Sequence, residues 1–225
     1  MSDAAPEASA QAALEFVKEG QTLGLGTGRA AEAFVRALGE RVAEGLNVRG
    51  VPTSERTEAL AAELAIPLTT LAEAGRLDVT FDGADEVDPA LDVIKGYGGA
   101  LVREKIVAAS SDRLVILVGA EKLVAELGAR GRLPIEVLPF AETLASARLA
   151  DLGCPALPRT DADGAPYITD NGNLVLDGQV SAIAHPGDLD QRILAIPGVL
   201  GTGLFVGMAD AVIVQDGEKV EVHRR

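Results

Sequence analysis

The central segment of this 225-residue chain reads DGADE at residues 82–86 and KGYGGALVREK at residues 95–105. The apolar run that ends at Phe81 leads directly into Asp82. This order predicts the end of a strand, an acidic turn, a short strand, a glycine loop and then a helix. In open α/β sheets, ligands bind in the crevice beyond the carboxyl ends of the strands. We therefore expect the charged residues of this segment to carry chemistry rather than to pack the core.

The segments around this stretch alternate between strand and helix patterns. Apolar runs predict strands at 23–25, 48–51, 67–69, 77–81 and 114–118, and apolar residues at helical spacing predict helices at 8–18, 28–38, 53–64 and 100–110. Thr53 is the expected N-cap of the third helix. The alternation predicts an α/β fold with a doubly wound, mostly parallel sheet of the Rossmann-like kind.

A second, smaller domain is predicted after Gly128, where the order of elements becomes β-α-β-β-α-β. Its strands are expected at 135–138, 156–159, 174–176 and 199–206, and its helices at 142–152 and 189–194. This is the split βαβ plan of an α+β, ferredoxin-like domain. We place it at 130–206. The first domain then comprises 1–129 plus 207–225, because a hairpin at 212–222 is expected to return to the first sheet.

Composition and charge exclude several classes of protein. Hydrophobic residues form 48 % of the chain, which is enough for a sizeable core. The formal net charge of −14 repels a phosphate backbone, so nucleic-acid binding is not expected. No apolar run has the length of a membrane span, and the N-terminus lacks a signal-peptide pattern. The single cysteine, Cys154, fits a reducing compartment. We expect a soluble, cytoplasmic protein without nucleic-acid or membrane partners.

The stretch GLGTGRA at residues 24–30 follows a predicted strand and opens a predicted helix. Backbone N–H groups at such a turn bind anions. The stretch departs from a dinucleotide fingerprint, because Arg29 stands where the third glycine belongs and no acidic residue follows at the required distance. It also lacks the Gly-Lys-Ser/Thr of a nucleotide P-loop. A small oxyanion such as a phosphate monoester fits better, and the structural alternative is a tight turn that serves packing alone.

The acidic turn places Asp82 and Asp85 three residues apart. Two neighbouring carboxylates repel each other, and this repulsion suits one of them to hold a proton. The alternatives are an Asx turn that closes a strand and a metal site. We disfavour the metal site, because the only histidines are His185 and His223.

Three further charged residues lie beside glycines, a helix start or a strand end. Lys95 precedes a run of glycines and is suited to stabilise an oxyanion, although it is also consistent with a solvated surface lysine. Glu104 lies in the first turns of a predicted helix, where a carboxylate also compensates the helix dipole. Lys122 follows the predicted strand at 114–118, and the residues alone leave a phosphate contact and a surface position equally open.

Together these motifs resemble the type A ribose-5-phosphate isomerase family. The shared segments extend over almost the whole chain: GTG at 26–28, PTS at 52–54, DGADE at 82–86, KG-x-GGAL with REK at 95–105, PIEV at 134–137, TDNGN at 169–173, IPGV at 196–199 and GLF at 203–205. The resemblance implies interconversion of ribose 5-phosphate and ribulose 5-phosphate without a metal or organic cofactor. It also implies a homodimer or homotetramer.

The resemblance further implies a role for each matching residue. Glu104 is expected to move a proton between C2 and C1, while Asp82, Asp85 and Lys95 help to open the furanose ring and hold the reacting oxygens. The expected substrate-binding residues are Gly26, Thr27, Gly28, Arg29, Ala30, Gly83, Ala84, Gly96, Tyr97, Gly98 and Lys122. The family turn usually continues Gly-Thr-Gly-Ser-Thr, whereas this chain has Arg29 and Ala30 at the last two positions. We expect Arg29 to bind the phosphate directly.

Three other functions compete with this interpretation. Another sugar-phosphate enzyme on the same scaffold, such as an amino-sugar-phosphate deaminase, is disfavoured by the combination of Asp82, Asp85, Lys95 and Glu104. A non-catalytic sugar-phosphate sensor of the repressor type would need a DNA-binding helix pair, which the short N-terminus and the acidic charge do not favour. A nicotinamide dehydrogenase is disfavoured by the broken fingerprint.

Overall fold

The computed structural model describes residues 7–225. The helices are α1 (Glu7–Leu14), α2 (Arg29–Ala43), α3 (Glu55–Glu63), α4 (Leu71–Ala74), α5 (Leu101–Ala109), α6 (Glu142–Asp151) and α7 (Pro186–Leu194). The strands are β1 (Thr22–Leu25), β2 (Arg49–Pro52), β3 (Val79–Gly83), β4 (Glu86–Val87), β5 (Val93–Ile94), β6 (Leu114–Gly119), β7 (Arg132–Val137), β8 (Ala156–Pro158), β9 (Leu174–Gln179), β10 (Val199–Thr202), β11 (Leu204–Phe205), β12 (Ala211–Asp216) and β13 (Lys219–Arg224). Short 3-10 helices occupy Ala120–Lys122 and Pro139–Ala141.

The chain divides into two compact units. The first unit runs to Ala84 and resumes at Arg103–Lys122 and Met208–Arg225. The second unit comprises Asp85–Val102 and Leu123–Gly207. Each unit has its own sheet and its own buried apolar cluster.

The first unit contains a six-stranded sheet in the order β13-β12-β6-β3-β1-β2. Neighbours from β12 to β2 pair in parallel, and β13 is antiparallel to β12, so the C-terminal hairpin joins this sheet as predicted. On one face, Phe34 of α2 stacks on Phe81 with 4.1 Å between the ring centroids. On the other face, Val107 of α5 packs with Val51 and Leu77. Helices on both faces of a mostly parallel sheet confirm the predicted α/β fold class.

The second unit contains a four-stranded sheet in the order β10-β7-β9-β8, in which all neighbours are antiparallel. With α6 after β7 and α7 after β9, this is the β-α-β-β-α-β arrangement predicted for the ferredoxin-like part of the chain. Its core includes Ile135 of β7, Leu149 of α6, Leu176 of β9 and Ile193 of α7. A separate three-stranded sheet, in the order β11-β5-β4, belongs to the same unit.

The limits of the units differ from the predicted domain limits at residues 85–102, 123–129 and 207, which group with the second unit. Within the first of these segments, β5 pairs antiparallel with β11. The Glu86 carboxylate accepts hydrogen bonds from the backbone N–H groups of Gly128 and Arg130, at 2.7 and 2.8 Å. These partners are far apart in sequence, so no local pattern in either segment indicates them.

The single strand predicted at 199–206 is two strands, β10 and β11, which belong to different sheets. The break falls at Gly203. Its N–H donates to the carbonyl of Pro134 at 2.7 Å, and its own carbonyl accepts the N–H of Lys95 at 2.9 Å. A Cβ atom at Gly203 would collide with the carbonyl oxygen of Lys95 and lie 3.0 Å from the Pro134 ring, so this close passage requires glycine.

Other differences are local. The N-cap of α3 is Ser54 rather than Thr53, because the Ser54 hydroxyl accepts the N–H of Thr57 at 3.1 Å. The strand predicted at 67–69 is reduced to an isolated bridge between Gly50 and Leu68. The helix predicted at 8–18 ends at Leu14. No helix within residues 7–225 has both the length and the apolar character required to cross a bilayer.

Candidate active site

Three predicted site segments of the first unit lie at one edge of its sheet. Strands β1, β3 and β6 are parallel neighbours, so their carboxyl ends share an edge. The glycine turn, Gly26–Gly28, follows β1, and Asp82 lies near the end of β3. Lys122 ends the 3-10 helix that follows β6, and its side chain is partly exposed. This is the edge at which open α/β sheets bind ligands.

The glycine turn is built directly against Asp82. The Asp82 Oδ1 atom accepts the N–H of Thr27 at 3.1 Å and the N–H of Gly83 at 2.8 Å. The N–H of Gly26 donates to the carbonyl of Phe81 at 2.9 Å. A Cβ atom at Gly26 would collide with the Asp82 carboxyl group, so this close approach requires glycine.

A cluster of four hydroxyl groups supports the glycine turn through the side chain of Thr27, which is one of the four. The Thr27 hydroxyl lies 2.8 Å from the hydroxyls of Thr53 and Ser54 and 3.2 Å from that of Thr57. The Thr57 hydroxyl donates to the carbonyl of Gly26 at 2.9 Å. Thr53, Ser54 and Thr57 are buried. Thr57 is not among the predicted site residues, although its place three residues after the Ser54 N-cap is the local signal that points to it.

The remaining predicted residues of the first unit occupy distinct environments. Glu104 lies in the first turn of α5 and is buried. Arg29 is the first residue of α2 and is exposed, while Ala30 after it is partly buried. Gly28, which precedes α2, has a φ of 101°, in the left-handed region that favours glycine. Gly83 and Ala84 after Asp82 are partly exposed.

The second unit contains the lysine loop, Lys95–Gly98, together with Asp85. The Asp85 N–H donates to the carbonyl of Ile94 at 2.7 Å, and its Oδ2 atom accepts the N–H of Tyr97 at 3.0 Å. Lys95 is buried, and its Nζ atom lies 5.6 Å from the centroid of the Phe205 ring, a cation–π distance. A hydrogen bond therefore joins Asp85 to Tyr97 of the lysine loop, twelve residues further along the chain.

Tyr97 links the lysine loop to the four-stranded sheet. Its hydroxyl donates to the carbonyl of Arg132 at 3.3 Å, and the Arg132 guanidinium lies 4.8 Å from the centroid of its ring. Burial of the phenol raises the pKa of Tyr97 to about 12, and the carboxylates of Glu86 and Asp85 add to this effect. The phenol is therefore neutral at physiological pH.

Three residues that were not predicted, Arg159, Tyr167 and Asp177, also hold the lysine loop. The Arg159 guanidinium donates to the carbonyls of Gly96 and Tyr97, and it forms an ion pair with Asp177. The Tyr167 hydroxyl donates to the carbonyl of Gly98 at 3.2 Å. No sequence motif marks these three residues, since the loop carbonyls that Arg159 and Tyr167 bind lie more than sixty positions away.

Three charged candidates are almost entirely withdrawn from solvent: Asp82, Lys95 and Glu104 are 1 %, 2 % and 4 % exposed. Charged side chains are seldom buried to this degree outside ion pairs and functional sites. Carboxylates of this kind can transfer protons, and a buried ammonium can stabilise an oxyanion. Residues 7–225 hold no group of three or more His, Cys, Asp or Glu side chains placed to bind a metal ion.

Comparison with known proteins agrees with these features. The family described as ribose 5-phosphate isomerase A (phosphoriboisomerase A) matches residues 49–219. A protein named ribose-5-phosphate isomerase A from Roseiflexus sp. is 52 % identical over 96 % of this chain and 94 % of its own length. The protein of the same name from Parvibaculum lavamentivorans is 50 % identical over 92 % of each chain.

Solved structures give the same result. A D-ribose-5-phosphate isomerase in complex with phospho-erythronic acid is 38 % identical, covers 98 % of this chain and 97 % of its own, and superimposes with a TM-score of 0.95. Ribose 5-phosphate isomerase A from Methanocaldococcus jannaschii is also 38 % identical with the same coverage, and its TM-score is 0.92. The chain therefore belongs to the ribose 5-phosphate isomerase A family.

Proposed function

We propose that this chain interconverts ribose 5-phosphate and ribulose 5-phosphate, as the names of its relatives state for those proteins. The observation that carries the proposal is the burial of Asp82, Lys95 and Glu104 within the two sequence segments that resemble the family. An aldose–ketose isomerase needs this kind of chemistry: a carboxylate to move a proton and a cation to hold a negative oxygen.

Glu104 is the proposed proton carrier. In the open-chain aldose, its carboxylate removes the proton from C2, and the C–H electron pair forms a C1–C2 double bond while the carbonyl electrons move onto O1. The proton on O2 passes to O1. The electron pair on O2 then forms the C2 carbonyl, and Glu104 returns its proton to C1. Atoms and charge balance without an external oxidant, and one carboxylate performs both proton transfers.

The other charged residues stabilise this path. Lys95 offers its ammonium to the enediolate oxygen, and one well-placed donor of this kind is worth about 3–4 kcal/mol. Asp82 and Asp85 exchange protons with the hydroxyl groups during ring opening. The backbone around the lysine loop and the acidic turn, at Gly83, Ala84, Gly96, Tyr97 and Gly98, lines the sugar.

The phosphate is assigned to the glycine turn with Arg29 and Ala30, and to Lys122. Backbone N–H groups at the start of α2 favour an anion, and the exposed Arg29 guanidinium at its first position is suited to bidentate contact.

We expect Arg29→Ser to raise KM for ribose 5-phosphate about tenfold, the equivalent of one charge-assisted hydrogen bond. Steady-state kinetics measure this, with the exposed Arg36→Ser of the same helix as the control. An unchanged KM would reject direct contact.

The deciding experiment is ketose formation from ribose 5-phosphate in the presence of EDTA. We expect wild-type activity to survive chelation, because the proposed reaction needs no metal or organic cofactor. Glu104→Gln keeps the shape of the side chain but removes the base, so kcat should fall by about 10²- to 10⁴-fold. Glu63→Gln, an exposed position on α3, is the matched control and should leave kcat unchanged. Normal turnover by Glu104→Gln would refute the assignment.

The proposal extends to the state and location of the protein. We propose a homodimer or homotetramer in the cytoplasm that acts on a small sugar phosphate and has no nucleic-acid or membrane partner. The acidic net charge of −14 supports the lack of a nucleic-acid partner. Sedimentation equilibrium measures the assembly, and a monomeric mass at micromolar concentration would contradict it.

A further inference from the structure

One side of the lysine loop is held by a buried guanidinium. Arg159 follows β8 directly and is buried. Its Nη1 atom donates to the carbonyl of Gly96 at 3.0 Å and to the carbonyl of Tyr97 at 3.1 Å. The next carbonyl, that of Gly98, accepts the hydroxyl of Tyr167 at 3.2 Å. The carbonyls of three successive loop residues are therefore all engaged by Arg159 and Tyr167.

Because peptide groups are planar, the hydrogen bonds that hold these carbonyls also orient the N–H groups on the other side of the loop. In a trans peptide, the N–H of the next residue points opposite to the carbonyl. Holding the Gly96 carbonyl toward Arg159 thus directs the Tyr97 N–H away from it, where it donates to the Asp85 carboxylate at 3.0 Å. Holding the Tyr97 carbonyl directs the Gly98 N–H away from Arg159 in the same manner.

The guanidinium is itself fixed in its plane by Asp177. The Nε and Nη2 atoms of Arg159 donate to the two oxygens of this carboxylate at 3.0 and 2.6 Å, a bidentate pair. Arg132 donates to the same carboxylate at 2.7 Å. Burial raises the pKa of Asp177, but the hydrogen bonds and charges of Arg159 and Arg132 outweigh it and bring the pKa below its ordinary value. Asp177 therefore stays ionised at neutral pH.

We propose that Arg159 is a positioning residue, which sets the orientation of the lysine loop and through it the Asp85 carboxylate and Lys95. The catalytic part of this assignment rests on the proposed function, in which Asp85 and Lys95 act on the sugar. A lysine at position 159 keeps the charge but lacks the planar fork, so it cannot bind Asp177 bidentately while also donating to two carbonyls.

The first test needs no substrate. Hydrogen exchange of the Tyr97 amide is compared in wild type, Arg159→Lys and Leu149→Ala, the last of which loses buried packing in the same unit but removes none of the loop's hydrogen bonds. We expect exchange at Tyr97 to accelerate about tenfold or more in Arg159→Lys and to change little in Leu149→Ala. Asp177→Asn, which weakens the anchor but keeps the arginine, should shift exchange in the same direction by less.

The second test uses ribose 5-phosphate and the same variants. A loop displaced by a fraction of an ångström or more misplaces Asp85 and Lys95, so kcat should fall about 10- to 100-fold in Arg159→Lys while KM changes little. Leu149→Ala, assayed well below its unfolding temperature, should keep its kcat.

The outcomes separate the two proposals. Unchanged exchange at Tyr97 in both Arg159→Lys and Asp177→Asn overturns the positioning role, whatever the activity. Equal acceleration in Leu149→Ala also overturns it, since that result reports general loss of stability. A wild-type chain that does not isomerise ribose 5-phosphate refutes the proposed function, and the exchange data then decide the positioning of the loop independently.

Discussion

The glycine turn of the first unit and the lysine loop of the second unit are both glycine-rich, yet different groups bind their first carbonyls, a hydroxyl at Gly26 and a guanidinium at Gly96. In the glycine turn, the Gly26 carbonyl accepts an uncharged hydroxyl, that of Thr57, while the Thr27 N–H donates to the Asp82 carboxylate. In the lysine loop, the carbonyls of Gly96 and Tyr97 accept a guanidinium, that of Arg159, which is paired with Asp177. The Gly98 carbonyl accepts the Tyr167 hydroxyl. A glycine motif therefore indicates where the backbone is accessible, and the residues that fix its conformation come from elsewhere in the chain.

This difference has energetic consequences. Neutral hydroxyls cost less to desolvate than ions and do not titrate near neutral pH, so loss of one hydroxyl leaves a smaller defect than loss of one charge. A partly buried ion pair is costly to break from one side, because the remaining charge stays in a poorly solvating environment. We therefore expect the lysine loop to be the more sensitive of the two to substitution and to pH.

The largest effect is expected for Asp177→Ala. It leaves the buried Arg159 without its carboxylate partner, and the free energy of unfolding should fall by about 3 kcal/mol. Urea unfolding measures this. Asp112→Ala breaks an ion pair with Arg76 that is exposed on both sides, so it should cost under about 1 kcal/mol. An equal loss of unfolding free energy in the two variants would show that the ion pair at the lysine loop contributes no more to stability than an exposed one.

Much of the first unit was predictable because its signals are local. The apolar runs of β1, β3 and β6 lie within a few residues of their predicted limits. Their parallel order then brings the glycine turn and Asp82 to one edge, and the contact of Thr27 with Asp82 follows from the pairing of neighbouring strands.

The ion-paired support of the lysine loop was not predictable from local signals. Arg159 and Asp177 are separated by the turn-rich segment 160–173, and their contact depends on the register between β8 and β9. A shift of one residue in that register would turn Asp177 to the opposite face of its strand. Composition and periodicity do not fix such a register. From the sequence alone, the ion-paired Asp177 therefore looks the same as an aspartate exposed to solvent.

A smaller effect is expected for Thr57→Val in the glycine turn. The change preserves shape but removes a buried hydroxyl that bonds to Ser54 and to the Gly26 carbonyl, so stability should fall by about 1–2 kcal/mol. Under the proposed function, KM should rise more than kcat falls, because the turn binds the phosphate. Thr143→Val, exposed on α6, is the control. A loss as large as that of Asp177→Ala would remove the contrast between the two regions.

The smallest effect concerns alkaline pH and again falls on the lysine loop. The pKa of Tyr97 is raised to about 12 from its ordinary value of 10.0, first by burial and then by Glu86 and Asp85. Because the folded-state pKa lies above the unfolded one, this contribution to stability is complete below pH 10 and is lost as pH rises toward 12. The unfolding free energy of wild type should therefore decline more steeply across this interval than that of Tyr97→Phe. The phenolate absorbance that is present in wild type and absent in Tyr97→Phe reports the ionisation of Tyr97 directly, since the chain has only two tyrosines. Titration near pH 10 in the folded protein would mean that the ring is solvated, and Tyr97 would then give the lysine loop no greater sensitivity to alkaline pH than the glycine turn.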